Sequence, residues 1–183
     1  MPEEFIVRHC SPTLAGIKTG SLFSFSYQRE VEMKSFVREL NRMLRAKGIR
    51  VLPLRYDGTR ALIYLYRPSK LKQDLSNQHA AQLLSEQGYP SKAPEGCVTY
   101  LMGKLRTCPE FPHEIGLFLG YPPEDVSGFI QNKGSCCKCV GYWKVYGDEQ
   151  AAQKCFSKYR QCTDIYCTQW SNGKSLAQLA VTV

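Results

Sequence analysis

Apolar residues along the chain switch between two periods, and the switches mark its elements. Between residues 30 and 47, Met33, Phe36, Val37, Leu40, Met43 and Leu44 recur at spacings of three and four, the period of one helical face. Gly48 stands where a left-handed residue would end that helix. Residues 49–55 and 60–66 are instead rich in strand formers and flank Tyr56-Asp57-Gly58-Thr59, and Asp-Gly between two such runs predicts a hairpin. The second run, Ala-Leu-Ile-Tyr-Leu-Tyr, is apolar at nearly every position, as expected of a central strand covered on both faces. Residues 22–27 alternate aromatic and serine and predict a further strand. Upstream, Phe5 to Val7 is a short apolar segment, and Pro12 is expected to interrupt any helix there.

After Arg67-Pro68 the pattern turns helical. Ser69 begins a turn to Leu75, and Ser76 or Asn77 caps a helix ending at Gly88. Pro94 opens a helix stopped near Pro109, Pro112 a short one ending at Gly120, and Pro123 one ending near Gly134. Glu124 and Asp125 fall in that last helix's first turn, where its dipole favours carboxylates. Cys139 to Tyr146 is rich in Val, Tyr and Trp and predicts a strand. Asp148 then caps a helix with Ala152, Cys155, Phe156 and Tyr159 on one face. This order predicts a single α+β domain over 1–183 with a helical insertion at about 68–134. Its sheet is expected to be small, mixed but largely antiparallel, with about four strands covered by several helices.

The chain has 183 residues and is 43% hydrophobic, enough to bury a sizeable core. No apolar run approaches the length of a bilayer span, and the acidic start of MPEEFIVRHC lacks the order of a secretory signal. A cytoplasmic protein with no membrane partner is therefore expected. The net charge is +8, yet residues 101–150 carry five Lys or Arg against six Asp or Glu. That distribution disfavours nucleic acid as the general partner. One cationic stripe, Lys34, Arg38, Arg42 and Arg45, leaves open an anion- or nucleic-acid-binding face on the helix at 34–45, although a solvated face is the simpler and favoured reading.

Three constellations could carry chemistry. Nine cysteines without a secretory signal read as thiols or ligands. Cys136 and Cys139 form a C-x2-C hook with Cys137 between them, and Cys162 and Cys167 form a looser C-x4-C pair. Thiolates at such spacings hold a zinc ion or an iron–sulfur cluster, while small buried cysteines also serve as core residues. Second, Cys10 is a candidate nucleophile, with Lys18 as the cation that lowers its pKa, His113 as base and Glu114 as the group that orients it. Third, Tyr142, Trp143 and Lys144 place flat rings beside a cation and could stack on a flat cofactor or a base; core packing of a strand is the alternative. Phosphate-binding glycine loops and a serine elbow are absent, and HEIGL lacks the second histidine of a zinc helix.

HCSPTLAGIKTGSLF, FPHEIGLFLGYPPEDVSGFI and CKCVGYWKVYGD together resemble an uncharacterised bacterial family, the domain of unknown function numbered 3793, found mainly in anaerobic Gram-positive bacteria. The resemblance implies a single-domain cytoplasmic protein and no established activity. It singles out His9, Cys10, Lys18, His113, Glu114, Gly120, Cys137, Cys139, Trp143 and Lys144. An anaerobic setting would tolerate exposed thiols and labile clusters. The leading expectation is a cysteine-rich binding or regulatory module holding a metal or cluster. A thiol-dependent enzyme built on Cys10 and His113 is the alternative.

Overall fold

The computed structural model describes residues 2–90 and 93–183. The fold is α+β, as the element order predicts, and its contacts divide the chain into two compact units, residues 1–70 with 161–183, and residues 71–160.

In the first unit, α1 (Pro2–Leu14) leads into β1 (Gly20–Ser26), α2 (Glu30–Leu44), β2 (Arg50–Asp57) and β3 (Arg60–Tyr66). The three strands form an antiparallel sheet in the order β1-β3-β2. β3 is central as its composition predicts, with Ala61, Ile63, Tyr64, Leu65 and Tyr66 all buried. The expected turn between β2 and β3 holds, with Gly58 at φ 55°. α2 buries Met33, Leu40 and Leu44 and passes through a 3-10 turn to Gly48 at φ 73°, the predicted left-handed stop.

Pro12 does not interrupt the first element: α1 continues through it to Leu14. The proline sits in the last turn, where only a single ladder bond is lost. Ile6, Val7, Cys10 and Leu14, spaced as one helical stripe, are all fully buried, and their burial outweighs that loss. Arg67, also fully buried, ties this unit together. Its guanidinium donates to the carbonyls of Thr13 at 2.7 Å, Leu14 at 2.7 Å, Lys47 at 2.9 Å and Val181 at 2.7 Å.

The second unit takes up most of α3 (Pro68–Leu75), then α4 (Gln78–Glu86), α5 (Pro94–Thr107), α6 (Ile115–Phe118) and α7 (Pro123–Gln131). It overlaps the expected helical insertion and extends beyond it. β4 (Cys139–Val140) and β5 (Lys144–Val145) follow. α8 (Glu149–Ser171) contributes its residues up to Arg160 here and the rest to the first unit, which α9 (Leu176–Leu179) completes.

Residues 139–146 are not one strand. They fold back as a two-residue antiparallel ladder, Cys139 opposite Val145 and Val140 opposite Lys144. Gly141 is the reason the chain can turn there. It lies against the Phe156 ring so closely that a Cβ would overlap it. The described residues thus form five strands in two antiparallel sheets, in keeping with the small, largely antiparallel sheet expected.

Candidate ligand-binding site

Within the second unit, a chamber of about 270 Å³ opens between α6, α7 and the β4–β5 hairpin. Its walls are Ile115, Val126 and the rings of Tyr121, Phe129 and Trp143, with His113, Asp125 and Lys144 as its polar groups. The single-turn α6 places the first of these. Pro112 accepts the N–H of Ile115 at 3.2 Å, so His113 and Glu114 lie in the tight turn that precedes the helix. Glu114 points inward and is 2% exposed. Its Oε1 accepts from Lys104 Nζ at 2.5 Å and from the Tyr89 hydroxyl at 3.1 Å. His113 is exposed at the chamber's rim and lies against Phe129, with ring centres 4.9 Å apart. Glu114 therefore does not orient His113; it closes a buried ion pair beside Tyr89.

Asp125 builds the opposite wall. Although 3% exposed, it forms no ion pair among the described residues. Three N–H donors hold its carboxylate: Trp143 Nε1 at 2.6 Å on Oδ2, and the amides of Tyr146 and Gly147, each at 2.7 Å, on Oδ1. These bonds fix the hairpin to α7 and turn the indole into the chamber. The ring then stacks on Tyr121, centres 4.8 Å apart, and meets Phe156 edge-on at 4.6 Å. Burial pushes the Tyr121 phenol up to about 12, so it stays neutral through the physiological range.

Lys144 reaches in from β5. Its ammonium donates to the Gly134 carbonyl at 2.7 Å and lies 5.8 Å from the Phe129 ring centre. An ammonium carries further N–H donors, and no other described residue takes them. Among the described residues His113 also makes no hydrogen bond through its ring nitrogens. A second, larger groove of about 780 Å³ shares His113 and Phe129 and runs past Lys104 and Lys133.

Three of the residues singled out from sequence, His113, Trp143 and Lys144, thus line one chamber. Tyr142 turns away, 37% exposed, with its ring edge-on to Tyr159 at 5.1 Å. Asp125, Tyr121 and Phe129 were missed as site residues. The helix dipole accounts for the position of Asp125 but not for its three donors, and no spacing in the sequence pairs it with Trp143.

Cys10 belongs to the first unit and His113 to the second. The Cys10 thiol is fully buried in the sheet core, and burial pushes it up to about 12 against the pull of the nearby Lys18 ammonium and a hydrogen bond with Ser21. Lys18 itself is 8% exposed and donates to the Gly20 carbonyl at 2.7 Å. Cys10 and Lys18 do lie near each other, yet the thiol is protonated and shielded, the reverse of what an attacking thiolate requires.

Cys136 is exposed at φ 58°, and Cys137 and Cys139 are half-buried, with Gln153 Nε2 3.4 Å from Cys139 Sγ. Cys162 and Cys167 lie on α8 in the part that belongs to the first unit, where Cys167 packs against the core. Five apart on a helix, they do not share a face. No three His, Cys, Asp or Glu side chains among the described residues are grouped to hold a metal ion. On α2, Lys34 pairs with Glu30 at 2.8 Å and Arg42 with Glu39 at 2.5 Å, which leaves Arg38 and Arg45 exposed without an ion pair among the described residues. The stripe therefore behaves mostly as a solvated face. No described helix is long and apolar enough to cross a membrane.

The family described as protein of unknown function (DUF3793) matches residues 6–180. The chain belongs to that family. The match takes in all the residues that line the chamber. No curated protein matches the chain, and no solved structure does.

Proposed function

We propose that the protein is a binding module whose second unit holds a small, flat, largely apolar ligand carrying one acidic or strongly accepting group. One observation supports this reading above the others. The chamber has aromatic walls, and the polar groups still able to donate into it are His113 and Lys144. Ligand pockets combine apolar walls with a few convergent polar groups in this way. The volume of about 270 Å³ suits one or two fused rings. Three N–H groups already engage the Asp125 carboxylate, and the Lys144 ammonium in the same lining supplies the positive charge that an acidic ligand needs. This reading keeps the binding role expected from sequence and moves it from the cysteines to the rings beside them.

Titration calorimetry with indole-3-carboxylate and its uncharged parent indole tests the proposal. Both should bind, and the carboxylate more tightly. Lys144→Met and His113→Ala should each weaken the carboxylate by about tenfold or more, the worth of a charge-assisted hydrogen bond, and leave indole nearly unchanged. Absence of saturable binding by either compound, or equal losses for both in the two variants, would sink the reading. Reduced protein purified without air and free of zinc, iron and copper by elemental analysis should bind equally well. Loss of binding on metal removal would favour the cysteine-ligand reading instead.

A further inference from the structure

The two edges of the three-stranded sheet differ. On β2, Val51 and Pro53 lie opposite Leu65 and Ile63 of β3. The amides that face outward at this edge are those of alternate residues, and Val51 and Pro53 are among them. The Asn41 side chain takes both groups of Val51, accepting from its N–H at 3.0 Å and donating to its carbonyl at 2.8 Å. Pro53 has no N–H to offer, and the register breaks between Pro53 and Arg55. Side-chain capping, proline and a bulge are the devices by which proteins close a sheet edge.

β1 has neither proline nor bulge, and a side chain caps only its first residue. The Arg67 amide donates to the Thr19 carbonyl and the Tyr27 amide to the Thr59 carbonyl, both at 2.9 Å. These bonds set the parity of the ladder: odd-numbered residues of β1 bond to β3, and even-numbered residues direct N–H and C=O away from it. The Gly20 carbonyl is taken by Lys18. Beyond it, the outward groups of Leu22, Ser24 and Ser26 have no partner among the described residues. Ser24 and Ser26 are exposed, and the strand, Gly-Ser-Leu-Phe-Ser-Phe-Ser, contains no charge and no proline.

We infer that this edge pairs with the same edge of a second copy, antiparallel about a twofold axis at Ser24, to form a continuous six-stranded sheet. The register is self-complementary. Centred on Ser24, Leu22 lies opposite Ser26, and every outward N–H and C=O of the three residues meets its counterpart. Phe23 of one copy then stands across from Phe25 of the other in the closer, non-hydrogen-bonded position, an aromatic cross-strand pair. Each chain carries +8, yet the five residues that meet, Leu22 to Ser26, carry no charge, so like-charge repulsion is kept off the seam. A peptide partner would instead draw specificity from pockets beside the strand, and no β1 residue lines either cavity described above.

Sedimentation velocity of the full chain over a concentration series tests the inference, together with amide hydrogen exchange. The wild type should form a dimer, with the Leu22, Ser24 and Ser26 amides protected in proportion to dimer. Ser24→Lys places two ammonium groups opposite each other at the axis from an exposed position and should raise the dissociation constant about fivefold. Ser24→Pro removes the central donors and should raise it about tenfold or more. Should the proline variant misfold, the lysine variant still decides, since its side chain lies on the exposed side of the strand. A wild type that stays monomeric at every concentration overturns the inference, whether the edge remains open or takes a strand from another protein. A dimer insensitive to both substitutions, or one whose Ser24 and Ser26 amides exchange freely, overturns it equally.

Discussion

Asp125 offers the sharpest test of how the chamber is built. Its carboxylate receives three N–H groups and no cation among the described residues, so removing its charge while keeping its shape isolates those bonds. In Asp125→Asn, the amide oxygen can keep the Tyr146 and Gly147 amides. The amide NH2 then faces Trp143 Nε1, donor against donor. Losing one charge-assisted bond and stranding a buried donor should cost about 3 kcal/mol, a large part of the 5–15 kcal/mol typical of a whole domain. The indole should leave its stack on Tyr121, which would distort the chamber.

Urea unfolding followed by far-UV circular dichroism measures the loss. A double-mutant cycle with Trp143→Phe assigns it. With the indole N–H gone, Asp125→Asn no longer opposes two donors and should cost about 1.5 kcal/mol less than in the wild type. If the units unfold in separate transitions, the change belongs to the one that also reports Trp143 fluorescence in a Trp170→Phe background. An Asp125→Asn protein within about 0.5 kcal/mol of wild type, or an equal cost in both backgrounds, would refute the claim that this carboxylate holds the indole.

Two further outcomes are expected. Arg67→Met removes a guanidinium that ties four carbonyls from three segments, and should destabilise by about 3–5 kcal/mol in thermal or urea unfolding, with Arg67→Lys nearly as damaging because one ammonium cannot span them; a near-neutral Arg67→Met would show that water replaces it freely. Cys10 gives a pH signature: its folded pKa, raised to about 12, exceeds the unfolded value, so its contribution is complete below about pH 9 and falls by about 1.4 kcal/mol per unit above that, toward pH 12. Cys10→Ala should therefore be less stable than wild type at pH 7 and close that gap between pH 9 and 11, and parallel stability profiles over that window would contradict the buried thiol.

What the sequence made legible follows the range of the interactions involved. The β2–β3 hairpin depends on Asp57-Gly58 and its neighbours, and the stop at Gly48 on a local left-handed turn; both were readable because cause and consequence lie within a few residues. Pro12 misled for the same reason. Its local penalty is visible in sequence, whereas the stripe that outweighs it becomes decisive only once Ile6, Val7, Cys10 and Leu14 meet a sheet formed later in the chain. Residues 139–146 were misread because strand propensity records side-chain shape, while the turn at Gly141 is set by the Phe156 ring of the following helix. The pairing of Cys10 with His113 had no local basis at all.

The chamber itself shows how a site can be half legible. His113, Trp143 and Lys144 drew notice by type: an imidazole, an indole and an ammonium in a segment dense with Pro and Gly. The residue that makes them a site is Asp125, whose position looked fully explained by the dipole of α7. A helix dipole accounts for a carboxylate at the surface, where it interacts weakly with water-screened N–H groups. It does not account for one that is 3% exposed, because burying a charge without donors costs far more than the dipole returns. Burial is therefore the fact that converts a capping residue into the anchor of the wall. A buried acid in a helix's first turn, followed within some twenty residues by Trp and Gly in a short hairpin, is the pattern by which other members of this family can be examined for the same chamber. Where a relative replaces Asp125 by Asn, Trp143 is expected to change with it, since the two positions form one hydrogen-bonded unit and either substitution alone costs stability.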